Sequence, residues 1–286
     1  MSYGPRPWQQ TVWDWRAAGN FIGGGAGSGL IVYAALSQAQ GNAAGFQFAC
    51  GGVLVAFGLL CVWLEIGRPL RALHVFFNPR SSWMSREAIV ATLLLPSAAA
   101  AAAGVPGFAA VAALLALAFV GCEGRILKAA KGIPAWRAAR IVALIVATAL
   151  AEGGGLFLLS APVHRTASLP LLVLDGVGVL VRWASWLGYR RQVAGAIAPR
   201  ALAALDGAAR PLQWAGTLAP LALIAVALAL ALMEGRIDAP ASMATAALAG
   251  LGALVTGAWF KFTLLTRGAY NQGFAITRLP VRGVRR

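Results

Sequence analysis

From Ala17 to Leu64 the chain carries no Asp, Glu, Lys, Arg or His, and the same holds from Ala88 to Cys122. A water-soluble helix or strand keeps a polar stripe at period 3.6 or 2 to face solvent. Runs this long without charge leave no such stripe. Of the 286 residues, 59% are apolar and 12% are charged, against about 25% charged in an ordinary soluble domain. A disordered chain is excluded, because it would be poor in apolar residues. A soluble enzyme is disfavoured, because one core of this length needs far fewer apolar residues. A nucleic-acid binder can carry a net charge of +15, but not with these runs. The composition points to an all-α integral membrane protein, since a spanning helix needs about 20 apolar residues.

Windows of about 19 residues place a bundle of eight transmembrane helices over 18–38, 46–66, 87–105, 107–124, 138–160, 169–189, 212–233 and 241–264. They form a single membrane domain over 1–286. Residues 1–17 read as an interfacial N-terminal segment, 18–264 as the bundle and 265–286 as a basic tail. Val105-Pro106-Gly107 forms a tight turn between two spans, and Pro96 and Pro220 fall inside spans, where a bundle tolerates a kink. The first 17 residues lack the charged-then-apolar-then-small order of a cleavable signal. Their Trp8, Trp13 and Trp15 suit a membrane surface.

The charges sort by side. Residues 1–17, 67–86, 125–140, 190–210 and 261–286 hold 21 of the 24 Lys and Arg. The alternate connections hold only Arg165 and Arg236, and Arg182 sits within a span. With eight spans the basic group falls on one face. The positive-inside rule makes that face the cytoplasm, with both termini there, in a bacterial inner membrane.

Cys50, Cys61 and Cys122 lie in apolar runs with no CxxC pair and read as structural thiols, so no Fe–S cluster is expected in this chain. His74 and His164 fall in expected loops, and no haem is expected. Gly19, Gly23, Gly25, Gly27 and Gly29 give GxxxG spacing in the first span, which implies close helix approach rather than a flat ligand. No strand precedes them, so they do not read as a dinucleotide loop.

The most distinctive stretch joins the second and third spans: Trp63-Leu64-Glu65-Ile66-Gly67-Arg68-Pro69-Leu70-Arg71-Ala72-Leu73-His74, then Asn78-Pro79-Arg80-Ser81-Ser82-Trp83-Met84-Ser85-Arg86-Glu87. Glu65 ends one helix and Glu87 begins the next, so the two approach each other at one interface. Carboxylates at that depth are costly unless paired or functional. Arg68, Arg80 and Arg86 are available as partners, in which case the cluster is an ordinary salt-bridge network. Ser82 or Ser85 suits the cap of the third helix.

This run resembles the corresponding loop of dimethyl sulfoxide reductase membrane anchors, within the NrfD/polysulfide-reductase type of quinone-reactive subunits. Their pattern is an acidic residue or His, then Leu/Ile-Gly-x-Pro, Arg, and a Ser-x-x-Ser-x-Glu helix start. The tail from Trp259 to Gly283 is similar to the C-terminus of a subset of that family. The resemblance implies a subunit that anchors a molybdopterin catalytic subunit and a four-cluster ferredoxin-like Fe–S subunit, and passes electrons between that cluster and a membrane quinone (menaquinone or ubiquinone). It implies Glu65 and Glu87 as the catalytic pair; Arg68, His74, Arg80, Ser82, Trp83, Arg86 and Lys261 are the candidates for binding the quinone. Glu65 stands where better-known anchors have His. A carboxylate there can accept a quinone hydroxyl hydrogen bond or relay its proton. The basic face is cytoplasmic here, whereas the better-known enzymes face the periplasm. That implies cytoplasmic catalytic partners, as in sulfite- or phenylacetyl-CoA-oxidising complexes.

Other charges carry two readings. Glu152, Asp175 and Arg182 read as an ion-pair network locking the fifth and sixth spans, or as a proton pathway. Glu123 sits near the same end as Glu65 and Glu87. Lys261 reads first as a snorkelling lysine, and Arg278, Arg282, Arg285 and Arg286 suit anionic lipid. A secondary transporter lined by Glu152, Asp175 and Arg182 is the alternative function, although no internal repeat supports it. A purely structural anchor is the third.

Overall fold

A computed structural model describes residues 4–66, 69–164, 168–236 and 238–274. Arg68, Arg165, Arg278, Arg282, Arg285 and Arg286 lie outside the described residues. Helices α1 to α9 run over Trp15–Ala39, Gly45–Glu65, Trp83–Ala102, Phe108–Ala129, Ile141–His164, Leu169–Val193, Pro199–Gln213, Ala219–Met233 and Pro240–Leu265. A 3₁₀ segment covers Pro69–Phe77, and one π turn, Trp214–Leu218, joins α7 to α8. No strand occurs among the described residues.

Six helical units are long and apolar enough to cross a membrane: α2, α4, α5, α6, the continuous Pro199–Met233 rod and α9. The chain is thus an α-helical membrane protein. The expected count of eight is not reached on apolarity, because α1 and α3 fall short. For α1 the reason is its position. It packs against α2, α4, α5 and α9, and 16 of its 25 residues are buried. A helix enclosed by protein does not need a lipophilic surface, so Asn20, Ser28 and several glycines are tolerated in it. The 190–210 connection, expected as a loop, is helical from Pro199 onward.

Contacts at the helix ends fix an up-and-down arrangement. Arg16 donates to the Leu64 carbonyl at 3.0 Å, Gln10 Nε2 to the Leu265 carbonyl at 3.0 Å, and Arg140 N to Gln192 Oε1 at 3.0 Å. These bring the starts of α1 and α5 beside the ends of α2, α6 and α9. Trp83 at the start of α3 lies under Arg125 of α4. At the other end, Phe46 of α2 stacks on His164 of α5, with centroids 4.0 Å apart. The basic loops therefore gather at one end of the bundle.

That end is closed by its own chain. The 130–140 connection buries Ile133, Ala135 and Trp136. Trp136 Nε1 donates to the Leu264 carbonyl at 2.9 Å, and Tyr189 to the Ala135 carbonyl at 2.9 Å. Residues 4–10 pair with 266–272, including a bridge between Gln9 and Tyr270. Of the three N-terminal tryptophans, Trp8 and Trp15 are exposed while Trp13 packs on Trp136 and Phe21. Asp14 caps α1, and the Arg16 guanidinium and amide hold its carboxyl below the usual range.

Individual glycines set the interhelical spacing. A Cβ on Gly23 or Gly27 would meet the Leu54 or Gly51 carbonyl of α2. One on Gly29 would meet the backbone of Ala149 and Gly153 in α5. Close backbone approach is the function of this stripe.

Candidate functional site at the basic end of the bundle

Glu65 ends α2 and Glu87 lies in the first turns of α3, which begins at the Ser82 cap; Ser82 Oγ accepts from Ser85 N at 3.3 Å. The two carboxyl groups line one cavity of about 240 Å³, together with Trp13, Asn20, Phe21 and Met84. Glu65 is half-buried and Glu87 is buried. Asn20 Nδ2 donates to Glu87 Oε1 at 3.3 Å. A second, larger groove of about 480 Å³ adjoins it, and its walls are mostly apolar, with Leu59, Trp63, Leu73 and Leu95 among them. Val62, Ile66, Met84 and Glu87 belong to both linings, so Glu87 stands where the small polar cavity meets the long apolar groove.

The arginines do not serve the acids. Arg86 Nε donates to the Pro79 carbonyl and Nη2 to the Arg80 carbonyl, both at 2.8 Å. Its guanidinium lies 4.1 Å from the centroid of the Trp83 ring, and Arg125 lies 5.4 Å from the same ring. Arg80 and His74 are exposed, and His74 rests edge-on to Phe77. The anticipated salt-bridge cluster around Glu65 and Glu87 is not formed among the described residues. Arg68 lies outside them.

Lys261 differs most from its expected snorkelling. Its side chain is fully buried, and Nζ lies 2.6 Å from Glu152 Oε2 and donates to the Phe21 carbonyl at 2.7 Å. It points into the bundle because Gly25 of α1, opposite it, has no side chain; a Cβ there would overlap the ammonium. Glycines make room for the other acids as well. Gly24 gives space to Glu123, Gly257 to Glu152 and Gly154 to Asp175.

The expected network of Glu152, Asp175 and Arg182 forms no direct ion pair within itself among the described residues. Glu152 pairs across to α9 rather than to α6. Arg182 donates from Nη1 to the Ala253 carbonyl at 2.7 Å, and from Nη2 to the Gly216 carbonyl. The second acceptor has a simple origin. In an α-helix the Gly216 carbonyl would receive the N–H of residue 220, but Pro220 has none. The resulting π turn presents that oxygen inward, where Arg182 takes it. Asp175 is fully buried beside Tyr33, and neither of its oxygens has a hydrogen-bond partner among the described residues.

Asn20 and Tyr33 had no signal in the sequence beyond being polar residues inside a glycine-rich span. Glu123 is fully buried against Gly24 and Gly25, with neither oxygen hydrogen-bonded among the described residues. The described residues include no cluster of metal-ligating side chains.

No protein-family model matches the chain, and no curated protein matches it.

Proposed function

We propose that the protein is the membrane-anchor, quinone-reactive subunit of a molybdopterin/Fe–S oxidoreductase, passing electrons between a partner Fe–S subunit and the quinone pool. The observation that carries this reading is the pairing of two cavities at Glu87. The smaller, with Glu65, Glu87 and Asn20, offers hydrogen-bonding groups for a quinone head. The larger, mostly apolar groove suits a polyprenyl tail lying along α2 and α3. Small-ligand sites of this kind combine apolar walls with a few placed polar groups.

In this reading the quinone supplies the two-electron chemistry when bound. The chain's own residues orient it and handle its protons. Glu87, held by Asn20, accepts a hydrogen bond from a quinol hydroxyl and takes its proton; Glu65 serves the other end of the cavity and exchanges protons with the interface. His74 and Arg80 do not line either cavity. Ser82, Trp83 and Arg86 act one step removed, by fixing the start of α3 and hence Glu87. Lys261 belongs to the interior and not to the ring site.

Eight crossings complete the proposal, with the protein-enclosed α1 and the peripheral α3 beside the six apolar ones. Their lengths of 25 and 20 residues give about 37 and 30 Å at 1.5 Å per residue, enough for a hydrocarbon core of about 30 Å. The basic end then faces the bacterial cytoplasm, both termini included. Its cationic surface, with Arg80, Lys131 and Arg137 in the connections and Lys128 in the last turn of α4, suits an acidic ferredoxin-like partner that in turn carries the molybdopterin subunit.

The test is quinol-analogue binding by the detergent-purified complex, followed by quenching of the inhibitor's fluorescence. The expected result is saturable binding that Glu87→Gln and Glu65→Gln weaken, with the complex still assembled and an iron-bearing subunit copurifying. Unaltered binding in both variants removes the pair from the site. A chain that purifies with no iron-bearing partner overturns the anchor role.

A further inference from the structure

Among the described residues, six buried ionisable side chains stand near one another inside the bundle, away from the cavity: Glu123, Lys261, Glu152, Arg182, Asp175 and Tyr33. All are buried, and they form one connected series. Glu123 lies against Gly24 and Gly25 of α1. Lys261 Nζ and Glu123 Oε2 both stand within 3.4 Å of the space a Gly25 Cβ would take. Lys261 is paired with Glu152 at 2.6 Å. Glu152 lies against Gly257 of α9, one turn beyond the Ala253 carbonyl that Arg182 holds; Asp175 stands two turns before Arg182 on α6, and it faces Tyr33 beside Gly154.

The series also runs through the membrane. Glu123 is six residues and Lys261 four residues from the basic-end termini of α4 and α9. Glu152 is near the middle of α5. Asp175 is six residues from the opposite-end terminus of α6, and Tyr33 six residues from that of α1. At 1.5 Å per residue, Asp175 lies about 9 Å of helix from the end remote from the cavity.

A structural lock accounts for only part of this. It explains Lys261 with Glu152, and Arg182 with the Gly216 and Ala253 carbonyls. It leaves Glu123 and Asp175, both at zero exposure, without a hydrogen-bond partner among the described residues. Unpaired carboxyl groups buried among membrane helices are expensive and rare, and proton relays are among the functions they mark.

We propose that this series conducts protons through the bundle, between the Glu65–Glu87 cavity and the membrane half remote from the basic end. Each step is a proton transfer alone. One carboxyl group releases a proton as the next accepts it, water bridges the gaps, and the Lys261–Glu152 pair passes a proton internally. Nothing is oxidised or reduced. Arg182 stays charged as a fixed counter-ion held by two carbonyls. The glycines at 24, 25, 154 and 257 are required because side chains there would fill the path. The inference goes beyond the quinone reading and does not depend on it, since the cavity end serves any proton donor.

The test uses the full chain in sealed phosphatidylethanolamine–phosphatidylglycerol vesicles with a trapped pH-sensitive dye and no quinone. A potassium gradient with valinomycin drives protons inward. The expected result is acidification faster than in protein-free vesicles, falling to the protein-free rate in Glu123→Gln and in Asp175→Asn. Glu234→Gln, exposed and outside the series, keeps the parent rate. Thermal melting of each variant in detergent identifies any that fails to fold, and the remaining variant then decides. A parent chain no faster than bare lipid overturns the proposal, as does a folded Glu123→Gln or Asp175→Asn variant that conducts like the parent. Because no quinone is present, either failure leaves the cavity assignment standing.

Discussion

Lys261 of α9 and Glu152 of α5 form an ion pair of 2.6 Å with both side chains fully excluded from solvent. The same ammonium donates to the Phe21 carbonyl of α1 at 2.7 Å, so one cation ties three helices. Removing one member of such a pair strands the other charge, which costs about 3–5 kcal/mol. Lys261→Met or Glu152→Gln is expected to lower stability by that order in a denaturing-detergent titration. Combining the two restores most of the loss, because no buried charge is left over. Equal losses for the double variant and the sum of the singles would show that the pair is not the reason.

The α1–α5 contact makes a second, steric prediction. A Cβ on Gly153 would overlap the backbone of Gly29 and Leu30, and one on Gly29 that of Ala149. Backbone cannot move aside as a side-chain tip can. Gly153→Ala or Gly29→Ala should therefore cost about 1–3 kcal/mol or more. Gly121→Ala is the control: it sits in the same bundle, with open space where its Cβ would stand, and should be neutral or slightly stabilising. A melting series in detergent that ranks Gly121→Ala with the other two would refute the close-approach account.

Much of the helical layout was legible because hydropathy and charge placement act over whole segments. The apolar runs from Ala17 to Leu64 and from Ala88 to Cys122 could form nothing but buried or lipid-facing helices. The side chains were not legible in the same way. Lys261 beside Trp259 near a helix end has the pattern of a snorkelling residue, and only Gly25, 236 positions earlier in the chain, lets it turn inward. Glu152 shows no partner in its own neighbourhood, because that partner arrives from α9. Arg182 needs Pro220 to free a carbonyl for it. Such pairings depend on which helices touch and at what height, and one sequence does not carry that. Glu65 and Glu87 were easier, since a short connection brings the ends of α2 and α3 together.

Orientation is checked by labelling. In a variant lacking Cys50, Cys61 and Cys122, single cysteines at Arg80 and Lys131 mark the basic end, and those at Gly104 and Glu234 mark the other; all four sites are exposed. An impermeant maleimide applied to intact cells is expected to modify the second pair alone, and to reach the first only after the membrane is opened. Labelling of Arg80 and Gly104 positions from the same side would break the up-and-down order of α2 to α4. The reverse sidedness would place the basic end outside.

The last prediction concerns Arg182 and Pro220. The guanidinium spans two acceptors on different elements, the Ala253 carbonyl of α9 and the Gly216 carbonyl of the π turn. Lysine has one compact ammonium and cannot hold the same fork. Arg182→Lys should thus lose one of two charged hydrogen bonds, at a cost of about 1.5–3 kcal/mol. Pro220→Ala supplies the missing N–H and lets the helix close on the Gly216 oxygen, so this carbonyl no longer needs the arginine. In the Pro220→Ala background, Arg182→Lys is then expected to cost less than it does in the parent. Such coupling is what a double-mutant cycle measures for residues that share a partner. Strict additivity of the two substitutions in unfolding experiments would show that the proline does not create the acceptor that Arg182 uses.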